Sequence, residues 1–408
     1  MHILLIHQAF AALDEPGGTR HHEMAQYLAD EKMQISIVTS PVNYLTGNDQ
    51  KSSSISQDKN GLIRIYRTYT YPALHKSFFH RLISFLSFMF SSFFKCLTIK
   101  NVDLVWGTTP PIFQSFTAWL VARLKGVPYL LEVRDLWPAF AIAVGVLKSP
   151  ILIQLSLWLE TFLYRHADCI VVNSPGFIDH VMKKGGKRIE IIPNGTDTRK
   201  FTPIDKHKAR SILGWPEKFI VLYAGAHGIS NDLEILLYSA EELKQNEDIL
   251  FLFIGDGKEK PNLIALAESL KLRNVCFSPP LPKNKIFQAL SAADACIAIL
   301  KPLEMYKTTY PNKVFDYMAA AKPVILAIDG VIREVVEKAQ CGIFCEPGNP
   351  TEISKAINFL YNNQAEAEKM GINGRSYLEK HFDRKEIAEK LCKLIKEMIK
   401  NGRKDINC

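Results

Sequence analysis

Residues 219–258 read FIVLYAGAHGISNDLEILLYSAEELKQNEDILFLFIGDGK, and the architecture follows from them. Two short apolar runs, 220–224 and 250–255, each lead into glycine and are separated by an amphipathic stretch over 230–244. Runs without polar alternation mark strands buried on both faces, and an intervening helix makes two such strands parallel neighbours. The same rhythm continues downstream, where strands are expected over 275–277, 295–299, 323–327 and 342–345 and a helix over 350–361. Upstream it places strands over 3–7, 35–39, 63–66, 104–107, 129–133, 170–173 and 189–192. The fold class is therefore α/β with parallel sheets.

A chain of 408 residues suits two hydrophobic cores. The seam falls near 194–203, where Ile192-Pro-Asn-Gly-Thr-Asp ends one strand and opens a polar, lysine-rich connection. Two Rossmann-like halves facing a central cleft are expected, because open parallel sheets take ligands beyond the carboxyl ends of their strands. A helical run over 384–400 has a basic face and no strand after it, and the polar stretch 47–61 reads as a surface loop.

Apolar residues make up 47% and charged residues 23%, an ordinary globular balance, and the net charge is +8. That charge fits an anionic partner such as a nucleotide, a pyrophosphate or an acidic lipid face. No nucleic-acid partner is expected. The eight cysteines form no C-x-x-C pair or Cys/His cluster, which points to reduced, structural thiols and no zinc site. Residues 1–7 read as a buried strand rather than a signal peptide, so a cytoplasmic location is expected.

Four loops carry the chemistry. Pro16-Gly17-Gly18-Thr19-Arg20 follows the first strand and opens a helix, a turn where backbone N–H groups can meet a phosphate or a sugar. Gly225-Ala-His227-Gly228 and Gly255-Asp-Gly257-Lys258 follow adjacent strands and can converge on one anion. Pro311-Asn312-Lys313-Val-Phe-Asp316 enters a helix with Lys313 and Asp316 one turn apart. A lysine there opposes the helix dipole unless an anion is bound, while a carboxylate can accept two hydrogen bonds from a ribose diol. An i,i+3 ion pair is the plain alternative. The first turn lacks G-x-G-x-x-G, which argues against a dinucleotide oxidoreductase. No convincing acid/base pair of carboxylates can be placed.

In this order the motifs resemble glycosyltransferase family 4, the retaining GT-B enzymes, in a branch similar to the WbuB-type transferases of surface-polysaccharide assembly. The landmarks are Gly17-Gly18, Leu131-Glu-Val-Arg134-Asp135-Leu-Trp-Pro138, Ile192-Pro-Asn194-Gly195-Thr-Asp197, Gly255-Asp-Gly257 and Pro311-Asn-Lys313. Arg333-Glu334 and Glu346-Pro-Gly-Asn-Pro complete the series. The resemblance implies an acceptor domain over 1–198, completed by a helix over about 380–408 that crosses back, and a nucleotide-sugar domain over 199–379. It implies transfer from a nucleotide sugar, most simply a UDP-sugar, to a lipid-linked or glycan acceptor without metal or cofactor. By this likeness Arg134, Asp135 and Lys313 are catalytic. Gly17, Gly18, Gly225, His227, Gly255, Gly257, Lys258, Pro311, Asn312 and Asp316 bind the donor, and Arg20 and Asn194 lie on the acceptor side. Arg134-Asp135 stands where many relatives have His-Asp, and Thr308 and Asp316 stand where an E-x7-E pattern would place its acids. The usual phosphate-binding Arg and Lys fall near Ala226 or His227 and at Asn231. The alternative is a non-catalytic or epimerase-type GT-B protein that binds a nucleotide sugar.

One segment needs no likeness. Between Asp58 and Asp103 there is no acidic residue, and seven phenylalanines fall between Phe78 and Phe94. On a helix, His80, Ser84, Ser87, Ser91 and Lys95 form a polar stripe opposite Leu82, Phe85, Leu86, Met89 and Phe93. An interfacial helix over about 75–100 on an anionic membrane is expected, near a polyprenyl-diphosphate-linked acceptor. Residues 144–162, interrupted by Lys148 and Pro150, read as a second apolar surface or as core.

Overall fold

The computed structural model describes residues 1–12, 15, 17–43, 47, 55–73 and 78–406. Pro16, His75, Lys76, Cys408 and most of the 47–54 stretch lie outside the described residues. Two compact units emerge, one ending at Pro193 and resuming at Lys385, the other spanning Asn194–Arg384.

The first unit holds β1 (His2–Ile6), β2 (Gln34–Thr39), β3 (Ile55–Asp58), β4 (Ile63–Arg67), β5 (Leu104–Thr109), β6 (Tyr129–Val133), β7 (Cys169–Val172) and β8 (Ile189–Ile191). Their order in the sheet is β3-β4-β2-β1-β5-β6-β7-β8, parallel except for the β3–β4 pair. The second unit holds β9 (Phe219–Ala224), β10 (Ile249–Ile254), β11 (Val275–Ser278), β12 (Ala295–Ile299), β13 (Val324–Ala327) and β14 (Gly342–Phe344). Their order is β11-β10-β9-β12-β13-β14. This is the doubly wound 3-2-1-4-5-6 arrangement, and its order reverses between β9 and β12. In the first sheet the reversal lies between β1 and β5. Ligands of such sheets bind beyond the carboxyl ends of those central strands.

All thirteen expected strands are present to within two residues. One strand was not expected: β3, inside the stretch taken for a surface loop, pairs antiparallel with the edge strand β4. The helix expected over 230–244 begins later, as Glu234–Glu242, after a single turn at Ile229–Asn231. Helix Arg384–Ile406 buries Ile387, Leu391, Ile395 and Met398 in the first unit's core, against Ile35, Ile37 and Leu130. Six of the seven described cysteines are buried.

Helix Phe78–Thr98 corrects the expected amphipathic division. Its buried stripe is Ser84, Phe88, Ser92 and Cys96, so a serine-bearing face turns inward. Ser87 Oγ accepts from the Tyr71 N–H at 2.9 Å, and Ser91 donates to the Tyr69 carbonyl at 2.6 Å. The serines satisfy backbone groups of the neighbouring segment instead of facing water. Phe85 stacks on Phe113 at 6.0 Å, while Phe79, Phe90 and Phe94 stand exposed.

Candidate functional site

In the second unit two loops lock together at the carboxyl ends of β9 and β10. The Gly225 N–H donates to the Ile254 carbonyl at 3.0 Å, and the His227 N–H donates to that of Asp256 at 2.8 Å. A Cβ at Gly255 would lie 1.9 Å from the Gly225 carbonyl oxygen, and one at Gly257 would lie 2.4 Å from that of His227. Both glycines also have positive φ, +149° and +158°. Only glycine permits this approach of backbone to backbone.

Lys313 reaches this junction from helix Asn312–Ala319, which begins after Pro311. Its ammonium donates to Tyr223 Oη at 2.8 Å and Asn231 Oδ1 at 3.3 Å, and lies 4.2 Å above the Tyr223 ring. A Cβ at Gly225 would come within 3.1 Å of it. The side chain is only half-buried by area, yet its ammonium is enclosed by neutral partners, and burial pushes it down to about 7. Both hydrogen-bond partners of the ammonium are neutral, a setting an anion would suit.

His227 is fully buried among Tyr223, Phe253 and Phe277, and neither ring nitrogen has a hydrogen-bond partner. Burial, with the Lys260 and Lys313 charges and against Asp256, pushes the imidazole down to about 4. It is neutral at pH 7 and retains one donor and one acceptor. Lys260, absent from the sequence reading, donates to the Gly255 and Ser278 carbonyls at 2.8 and 3.0 Å and ties β10 to β11. Lys258, which was assigned to the donor, is exposed. A second lysine after Gly-Asp-Gly was the available signal.

Asp316, one turn beyond Lys313, accepts from the Thr196 hydroxyl at 2.8 Å. The two side chains thus have different partners. Asn312 is exposed at the helix start. Asn194, expected on the acceptor side, belongs to the second unit and donates to the Tyr310 carbonyl at 2.8 Å; its Oδ1 is buried without a partner.

In the first unit, Gly17 and Gly18 precede helix Arg20–Asp30, with Gly17 at φ +142°. Arg20, expected on the acceptor side, is tied into the protein interior. Its guanidinium is buried and binds Glu132 Oε1 at 2.9 Å and the Ile192 and Pro193 carbonyls at 2.7 and 2.6 Å. Glu132, in β6, also accepts from Trp106 Nε1 at 3.0 Å and contacts His21 Nε2 at 2.7 Å. Burial works to raise this carboxyl, but His21 and Arg20 hold it well below the usual range. Burial likewise pushes His21 down to about 4. His7 lies just past β1, 4.3 Å from the His21 ring, fully buried and without partners on either nitrogen. A charged residue inside the apolar run of β6 was the sequence signal for this cluster.

Arg134 and Asp135 follow β6. Arg134 Nε donates to the Thr109 carbonyl at 3.2 Å, which places it at the end of β5. Asp135 Oδ1 is buried without a partner, and burial raises the carboxyl to about 7 in spite of the Arg134 charge. Gln8 Oε1, Thr109 Oγ1 and Asn173 Oδ1, from the ends of β1, β5 and β7, are also buried and unpartnered. The second unit thus brings an ammonium and an unpartnered imidazole to its glycine loops, and the first has several buried acceptors without partners at its strand ends. Among the described residues, no group of three His, Cys, Asp or Glu side chains is placed to hold a metal.

Residues 17–195 match the glycosyl transferase 4-like domain, and residues 205–377 match the glycosyl transferases group 1 family. The chain is 24% identical over 320 residues to WcaI of Escherichia coli, named for a glycosyl transferase of colanic acid biosynthesis, covering 75% of this chain and 78% of that protein. It is 25% identical over 319 residues to the glycosyltransferase WbjE of Pseudomonas aeruginosa, covering 74% and 77%. Among solved structures, sucrose-phosphate synthase from Thermosynechococcus elongatus superposes with a TM-score of 0.81 at 20% identity, over 98% of this chain and 99% of that one. HepE of Anabaena in complex with UDP-glucose superposes with a TM-score of 0.74 at 18% identity, over 97% and 100%.

Proposed function

Because this chain belongs to the family 4 glycosyltransferases, with the GT-B fold of two Rossmann-like domains, we propose that it transfers a sugar from a UDP-sugar, with retention, to a lipid-linked or glycan acceptor in cell-surface polysaccharide assembly. The observation that carries this reading is the Lys313 ammonium, enclosed by neutral partners beside two interlocked glycine loops. A diphosphate there would meet one buried cation, loop N–H groups and the His227 imidazole. The negative charge that develops on the leaving diphosphate is then stabilised by groups already in position. With front-face attack that diphosphate helps remove the acceptor proton, and no second catalytic carboxylate is required, unlike in a glycosidase. Asp316 would take the ribose. Arg134 and Asp135 serve the sugar and the acceptor hydroxyl, and the unfilled acceptors of the first unit suit a hydroxyl-rich ligand. HepE, crystallised with UDP-glucose, supports the choice of uridine.

No metal or other cofactor is invoked. The acceptor is proposed to sit at the inner face of the cytoplasmic membrane, which the segment 75–100 would contact. The test is release of UDP from a panel of UDP-, GDP- and dTDP-sugars in excess EDTA, with NMR of the product anomer. Lys313→Ala should cut transfer about a hundredfold or more, since one preorganised charge on a developing anion is worth about 3 kcal/mol. A normally folded variant with near-native activity would move the diphosphate elsewhere.

A further inference from the structure

Helices Phe78–Thr98, Ile112–Lys125 and Pro150–His166 join β4 to β5, β5 to β6 and β6 to β7. The strands they join are parallel, so the helices run side by side in one direction. Eight of the sixteen large apolar side chains that stand exposed among the described residues are on these three helices, including Phe90, Phe94, Leu124, Ile151, Leu155 and Trp158. Ile151 is 72% exposed and Trp158 62%. Their spacing puts Ile151, Leu155, Trp158 and Phe162 on one helical face. Phe162 stacks on Trp158 at 5.5 Å and meets Trp119 of the middle helix at 4.7 Å, so the aromatic surface passes from one helix to the next.

Charge follows the same division. The three helices contain one acidic residue, Glu160, which is fully buried, hydrogen-bonded to His180 at 2.7 Å and ion-paired with Lys184. Their exposed faces therefore present no carboxylate. Of the five Lys and Arg residues on these helices, Lys95, Arg123, Lys125 and Arg165 sit in last turns, so the shared direction gathers four of them along one edge, with Arg81 at the other end of the first helix. On that edge Lys95 joins His2, Arg64 and Lys100 around a pocket of about 340 Å³.

We propose that this three-helix layer lies flat on an anionic bilayer, with its aromatic face at the headgroup–acyl boundary and its basic edge on lipid phosphates. By length and composition Phe79–Thr98 could cross a membrane, but Ser84, Phe88, Ser92 and Cys96 are built into the unit, so the helix stays in plane. A second copy of the chain fits less well. The same layer of a second copy exposes no carboxylate to pair with the basic edge. The docking face rests on the surface-bound acceptor reading above and reaches beyond the segment 75–100 to two further helices.

The test is flotation of the full chain with phosphatidylcholine vesicles, with and without phosphatidylglycerol, at low and high salt. The native chain should float only with acidic vesicles, and salt should release it. Leu155→Ser with Trp158→Ser, both exposed and in the unit that does not carry Lys313, should lower the bound fraction about tenfold through lost apolar contact, with melting and UDP binding unchanged. Arg123→Glu with Arg165→Glu should do the same through charge. Equal binding to neutral vesicles, or native-like flotation of both folded double variants, would overturn the proposal. So would a dimer, seen by sedimentation without lipid, that the Leu155/Trp158 variant dissolves. Loss of UDP binding with flotation intact would count against the donor reading alone.

Discussion

With Tyr223 and Asn231 as its hydrogen-bond partners, the Lys313 amine is close to half-protonated at neutral pH, since burial pushes it down to about 7. A bound diphosphate would restore its ordinary high affinity for a proton. UDP binding at about pH 8 should therefore take up nearly one proton, read as the dependence of calorimetric heat on buffer ionisation, and affinity should fall as pH rises above 7. Lys313→Met should bind weakly and take up none. Asp135 moves stability in the same direction. Its folded carboxyl, raised to about 7, holds a proton that the unfolded chain has released, so the native chain loses stability as pH rises from the ordinary carboxylate range to 7. Asp135→Asn lacks that titration. Its melting temperature relative to native should climb across that window and level off above it. Lys313 was legible because a lysine at a helix start needs an explanation that local sequence does not supply. Arg20 was not: its partners Glu132, Ile192 and Pro193 lie more than a hundred residues away, and no local pattern reports such contacts.

The strands were legible for a general reason. Buried parallel strands are continuous apolar runs, and thirteen of them stand out from amphipathic helices. β3 was not, because its sequence, Ile55-Ser-Gln-Asp58, is polar, as an antiparallel edge can be. The serines of helix Phe78–Thr98 misled for a related reason: a hydroxyl satisfied by a neighbouring backbone group is as much at home inside as outside. The loop after β10 is the most constrained element of the proposed donor site. Gly257→Ala would drive a methyl into the His227 backbone and should cost roughly 1–3 kcal/mol of strain. The expected result is a lower melting temperature together with weakened UDP binding. Native values for both would show that the loops do not hold each other in place.

The first unit is completed from both ends of its sequence, since Ile387, Leu391, Ile395 and Met398 lie in the same core as Ile3 and Leu5. Ending the chain at Arg384 should therefore strip one wall from that core and leave residues 1–193 open to proteolysis, while the 194–384 unit keeps its own core. A truncated chain whose 1–193 segment resists protease as the full chain does would show the helix to be dispensable. The same feature sets an order of events during synthesis. About 200 residues separate Pro193 from the last core-forming turn, and at about 5–20 residues/s the ribosome needs about 10–40 s to make them. For that interval the emerging amino-terminal half waits with an uncovered apolar groove, while the intervening half is free to fold ahead of it. Nascent chains arrested near residue 384 should bind holdase chaperones through residues 1–193 and release them once the final helix clears the exit tunnel.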